Sequence, residues 1–146
     1  MNVMIRRLGA GDESLAADVC SLFKRSPGSV ARAARFLGNP RNYLVVAEVD
    51  GTLAGFLGAY RLERLDSDAD QLFVYEVEVA PAFRRRGVGT RLMDWVRRAV
   101  RDEHLMEAFV LTDSGNPAAI GLYGSTGARV EHGTGTLFVY PGSADE

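Results

Sequence analysis

The fold is decided by VYEVEVAPAFRRRGVGTRLMDWVRRAV, Val74–Val100. Its first residues are β-branched and aromatic, the composition of a strand, and Pro81 ends the run because proline cannot donate to a ladder. From Thr90 to about Arg101, Leu92, Trp95, Val96, Ala99 and Val100 recur at helical spacing with most arginines on the other side, so an amphipathic helix packs on the sheet. Between strand and helix lies RRRGVG, Arg84–Gly89. Glycines let the backbone fold tightly enough to aim several N–H groups at one anion, the helix N-terminus adds partial positive charge, and arginines add forked donors. That combination predicts a pyrophosphate site. A P-loop is excluded because Gly89 is followed by Thr90 and Arg91, and a dinucleotide fingerprint because Leu92 stands where its third glycine belongs.

Upstream, Met4–Leu8 reads as a strand and Leu15, Val19, Leu22 and Phe23 as a helix face. Ser29 begins a second short helix burying Val30, Ala33, Ala34 and Leu37, stopped by Gly38, Asn39 and Pro40. Tyr43–Val49 and Thr52 to about Leu62 form a hairpin across Asp50-Gly51, since both turn positions tolerate positive φ. Glu63–Asp70 reads as an acidic loop and Gln71–Val79 as the next strand. Downstream, Met106–Thr112 is a strand, and Asn116 caps a helix with Pro117 at its first position and Gly127 at its stop. Ala128–Glu131 and Thr136–Tyr140 make a final strand pair around His132–Gly135. The expected architecture is α/β, a mixed twisted sheet of six or seven strands with about four helices.

The chain has 146 residues, 47% of them hydrophobic, which fits one domain spanning 1–146. A formal net charge of -2 supplies no global field for nucleic acid or an anionic membrane. The single cysteine, Cys20, lies in an apolar helical run and reads as a buried helix residue. The N-terminus lacks a signal-peptide core and no apolar run reaches membrane-spanning length, so the cytoplasm is the default compartment. His104 reads as a helix-end residue, neither it nor His132 has metal-ligand spacing, and no Gly-x-Ser-x-Gly elbow is present. No metal is expected.

The Val77-x-Val79-x-Pro81 strand end followed by Arg84, Gly87 and Gly89 resembles the GNAT family of N-acetyltransferases, whose pyrophosphate loop reads Arg/Gln-x-x-Gly-x-Gly/Ala. The resemblance implies acetyl-CoA as co-substrate, held by the backbone of Val77 and Val79 and by Arg84, Arg85, Arg86, Gly87, Val88, Gly89 and Thr90. NPAAIGLYGSTGAR, Asn116–Arg129, resembles the family's second motif. It implies that Asn116 both caps its helix and contacts the cofactor, and that Tyr123 is the general acid protonating the leaving thiolate. The attacking amine also needs a proton acceptor. Strict alternation along FVYEVEVAP puts Glu76 and Glu78 on one face and Tyr75, Val77 and Val79 on the other, and Glu76 directly precedes the cofactor-lining segment. Glu76 is the candidate base.

Within the family the chain is most similar to the aminoglycoside 3-N-acetyltransferases, through YLVVAEVDGTLAGFLGAY, VYEVEVAPAFRRRGVGTRLM and DSGNPAAIGLYGSTGAR. That likeness implies a polycationic small-molecule acceptor met by Tyr75, Glu76, Glu78 and Asp113, with Glu63, Asp66, Asp68 and Asp70 adding to the negative field. Two departures stand out: the stretch between Phe23 and Tyr43 is shorter than in that group, and Phe138 is followed by Val139 where the group places an acid. Another small polyamine or a protein amino group stays open as acceptor, as does a non-catalytic acetyl-CoA-binding module. The oligomeric state is open too, a homodimer included.

Overall fold

The computed structural model describes residues 1–131 and 136–142. In chain order the elements are β1 (Val3–Arg7), α1 (Glu13–Phe23), α2 (Val30–Leu37), β2 (Asn42–Val49), β3 (Thr52–Arg64), β4 (Ser67–Val79), a 3-10 turn at Pro81–Phe83, α3 (Val88–Asp102), β5 (Glu107–Val110) and α4 (Pro117–Ser125). The sheet runs β1-β2-β3-β4-β5. Its first four strands are antiparallel neighbours, and α3 carries the chain over to β5, which lies parallel to β4.

Alternation along β2 sorts the core. Tyr43, Val45, Ala47 and Val49 face α3, where Leu92, Met93 and Val96 bury their side chains, while Leu44 and Val46 face the other way onto Ala16 and Val19 of α1 and Ala33, Phe36 and Leu37 of α2. Asp50 (φ 49) and Gly51 (φ 84) make the predicted left-handed hairpin turn.

The sheet has five strands among the described residues, not six or seven. Residues 128–131 and 136–140 are not paired, the side chains of Leu137, Phe138, Val139 and Tyr140 are exposed, and the expected turn at 132–135 lies outside the described residues. Apolar composition alone does not make a strand, because its backbone N–H and C=O groups need a ladder partner. The acidic loop also gives way to strand: β3 continues to Arg64 and β4 begins at Ser67. Pairing with arginines makes this possible. Asp70 accepts from Arg61 at 2.7 Å and from Arg41 at 3.3 Å, Arg41 reaches Glu63 at 3.0 Å, and Arg64 grips Asp66 at 2.9 Å. On α2, Val30 and Ala34 are exposed, and Ala33, Phe36 and Leu37 form the packed stripe. Cys20 is half-buried.

Candidate active site

The glycine-arginine turn is built as a backbone cradle. Gly87, the N-cap of α3, has φ 79, and Arg85 has φ 62, so two left-handed residues alternate with Arg86. Such a reversal turns consecutive N–H groups toward a common side. Gly87 has no side chain to cap the helix, and the first intrahelical bond runs from Arg91 N–H to Gly87 C=O at 3.1 Å. The amides of Val88, Gly89 and Thr90 therefore have no intrahelical partner. The Val88 side chain is buried and anchors the turn, while open space lies where a Cβ on Gly87 would be.

The arginines divide their work. Arg84 Nε donates to the Val79 carbonyl at 3.0 Å and straps the turn to the end of β4, and Arg86 lies 5.8 Å from the centre of the Phe83 ring. Arg85 and Thr90 are exposed. A Cβ on Gly89 would stand 3.2 Å from Leu122 of α4, so this glycine lets α4 settle beside the start of α3.

An opening in the sheet adjoins this cradle. Among the described residues, β4 and β5 pair from Gln71↔Glu107 to Val74↔Val110, whereas β4 runs on to Val79 beside β3 alone. Val77 and Val79 pack their side chains on the α3-side core. Downstream of β5, Asn116 caps α4 by accepting from Ala119 N–H at 3.1 Å. Asp113 accepts from Gly115 N–H at 2.7 Å and so shapes the loop before that cap. Tyr123 is partly buried beside the same core, and burial raises its phenol pKa, so the hydroxyl holds its proton through neutral pH.

On the opposite face of β4 the simple alternation fails. Gly58 pairs with Glu76 but Ala59 pairs with Val74, so Tyr75 is an extra residue, a β-bulge. Before the bulge the even-numbered Leu72 and Val74 face the α3 side; after it the odd-numbered Val77 and Val79 do. Tyr75 thus moves to the side of Glu76, and both line a cavity of about 460 Å³ between β4 and α1–α2. The Glu76 side chain lies over Gly58, where a Cβ would come within 3.3 Å of its Cγ. Glu78 is exposed and, like Asp113 and Tyr123, is not among the cavity's lining residues.

Residues that sequence reasoning missed complete this cavity. Lys24, the C-cap of α1, donates to both carboxylate oxygens of Glu76 at 2.7 and 2.6 Å. That hydrogen bond raises the lysine's pKa, so its positive charge is held. Tyr60 stacks edge-on with Tyr75 at 5.6 Å and with Phe36 at 6.1 Å, and Arg32 and Arg35 project from α2. Cys20, expected in the core, is part of this lining. A cation directly after the last apolar residue of α1 was the available signal for Lys24, but nothing local connects it with a strand 52 residues away.

The model of the acetyltransferase (GNAT) family matches residues 14–128. The chain belongs to the acetyltransferase (GNAT) family. Among curated relatives, the N-alpha-acetyltransferase RimI of Mycobacterium tuberculosis is 36% identical over 100 residues, covering 64% of this chain and 56% of that protein. The L-2,4-diaminobutyric acid acetyltransferase of Nocardia farcinica is 35% identical over 85 residues, covering 58% and 42%. The chain thus spans about half the length of the curated relatives it matches. Among solved structures, an aminoglycoside acetyltransferase from an uncultured soil metagenomic sample, in complex with trehalose, superposes with a TM-score of 0.87 at 22% identity, covering 96% of this chain and 97% of the other. The ribosomal-protein-alanine N-acetyltransferase of Brucella melitensis biovar Abortus 2308 follows the same GNAT fold with a TM-score of 0.77 at 18% identity, over 95% and 100%. In the described part of this GNAT chain no group of three or more His, Cys, Asp or Glu is placed to hold a metal, and no helix is long and apolar enough to cross a membrane.

Proposed function

We propose that the chain is an acetyl-CoA-dependent N-acetyltransferase acting in the cytoplasm on a primary amine of a small molecule bound in the cavity over Glu76. The observation that carries this is the bulge at Tyr75, which brings a carboxylate and an aromatic wall to the strand whose other side opens toward an anion cradle. The turn at Arg84–Thr90 fits a pyrophosphate by its aligned amides, and Val77, Val79 and Asn116 would flank the rest of the cofactor. Acetyl-CoA, when bound, supplies the acetyl carbon as a thioester.

An alkylamine has a pKa of about 10, so it reaches the site protonated and must lose a proton before its nitrogen can attack. Glu76 takes that proton on a carboxylate oxygen as the C–N bond forms. Tyr123, kept protonated by its burial, gives one from its hydroxyl to the sulfur as the C–S bond breaks. The test is thiol release from acetyl-CoA in the presence of an amine panel, with Glu76→Gln and Tyr123→Phe as controls.

An aminoglycoside acceptor is supported by the Tyr75-Glu76 pair and Asp113 through the motif resemblance and by a solved aminoglycoside acetyltransferase of the same fold, and the 3-N position by the motif resemblance alone. A second reading is favoured by the cavity lining, where Lys24, Arg32 and Arg35 share the cavity with Glu76. It takes the acceptor to be an amine bearing negative charge. The curated relative named for L-2,4-diaminobutyric acid, an amine with a free carboxylate, is compatible with that second reading.

A further inference from the structure

The cavity over Glu76 carries the wrong sign for a polycation. Three cationic side chains, Lys24, Arg32 and Arg35, line it, against the one carboxylate of Glu76. That carboxylate is already matched, because both of its oxygens accept from Lys24 Nζ. Arg35 has no carboxylate partner among the described residues, and Arg32 spends one guanidinium nitrogen on the Pro27 carbonyl at 2.7 Å. The two arginines stand three residues apart on α2, so they share one helix face. An incoming ammonium that takes Glu76 must displace Lys24, leaving three unmatched cations around a ligand of about 460 Å³ or less. A second ammonium on that ligand adds repulsion; a carboxylate removes it.

We propose that the acceptor is an amino-carboxylate, a small molecule that presents its reactive amine to Glu76 and its carboxylate to Arg35, Arg32 and the displaced Lys24. The inference rests on the reading of this cavity as the acceptor site. Guanidinium groups suit the task because their planar forks pair with a carboxylate through two parallel hydrogen bonds. Between the two charged ends, Phe36, Tyr60 and Tyr75 give the ligand's carbon chain an aromatic wall.

Matched pairs that differ by the carboxylate alone make the test: L-lysine against cadaverine and L-ornithine against putrescine, with gentamicin as the polycation. Binding to the full chain is measured by calorimetry in the presence of coenzyme A, and acetyl transfer is followed separately as thiol release. Each amino acid should bind about tenfold or more tighter than its decarboxylated partner, a difference of about 1.4 kcal/mol. Arg32→Gln/Arg35→Gln should erase most of that preference by weakening the amino acid's binding, while the diamine, relieved of two repelling charges, binds no more weakly than to the parent. Both substituted residues are exposed, and unchanged circular dichroism and coenzyme A binding would establish that the variant is folded. Equal or tighter binding of the diamines or gentamicin overturns the proposal, as does a double variant that weakens both members of a pair alike. Preference without thiol release upholds the cavity's selectivity for amino-carboxylates and overturns its role as an acceptor site; thiol release without preference does the reverse.

Discussion

Replacing Glu76 by glutamine keeps the shape of the side chain over Gly58 and removes its capacity to accept a proton. Two effects compete in such a variant. The Lys24–Glu76 ion pair is lost, but its side chains are 40% and 33% exposed, which places its contribution in the range of roughly 0–1 kcal/mol found for solvated pairs. The lost proton transfer is larger: a positioned base contributes about 10²- to 10⁴-fold, or about 2.7–5.4 kcal/mol of barrier. Thermal unfolding should therefore shift little while kcat falls by two to four orders of magnitude (about 10²- to 10⁴-fold). The pH dependence sharpens this. Below the amine's pKa of about 10, the free-amine fraction rises about tenfold per pH unit, so the variant should regain rate relative to the parent between about pH 7 and pH 9. Stopped assays of thiol release across that range, with saturating acetyl-CoA, provide the comparison. A folded variant within about threefold of the parent at every pH would refute the assignment of Glu76 as the base.

Gly87→Asp puts a negative charge and a Cβ where φ is 79, beside the amides of the cradle, and should weaken coenzyme A binding by about tenfold or more in calorimetry. Tyr123→Phe should leave cofactor affinity unchanged and lower the single-turnover rate by about 10²- to 10⁴-fold, whereas an unaltered rate would make Tyr123 a packing residue. Asp70→Asn tests the ion network beneath the β3–β4 hairpin. The Arg61 hydrogen bond, then the charges of Arg41 and Arg61, outweigh desolvation and lower the Asp70 pKa. Its stabilisation is complete above the unfolded value of about 3.9 and is lost as pH falls through the folded value. Parent and variant should thus differ most in urea stability above about pH 4 and converge below it, and a pH-independent difference would contradict the network's role.

The strand-turn-helix unit at Val74–Val100 was legible because its signals are local: Pro81 stops the strand, Gly87 turns the chain and the apolar stripe of α3 has one period. The Asp50-Gly51 hairpin and the Asn116 cap were legible for the same reason. The bulge at Tyr75 was not, since one extra residue in a strand leaves no mark on composition yet reverses the face of every residue beyond it. Strand status for Ser67–Asp70 was hidden because the charge of Asp70 is matched by arginines outside the segment, Arg41 and Arg61. The same long-range pairing hid Lys24, which meets Glu76 only when α1 docks on the sheet. Half of the site, the cofactor turn, is therefore written in one segment; the acceptor cavity is assembled from α1, α2, β3 and β4.

Acetyl transfer itself is tested most directly by incubating the full chain with acetyl-CoA and the amine panel, following coenzyme A thiol release and identifying the N-acetylated product by mass spectrometry. Acetyl transfer through Glu76 and Tyr123 predicts release that requires both the chain and an amine, that yields the acetylated amine, and that drops to background in the Glu76→Gln/Tyr123→Phe double variant. A chain that binds coenzyme A yet releases no thiol with any amine, or a double variant as active as the parent, would contradict it.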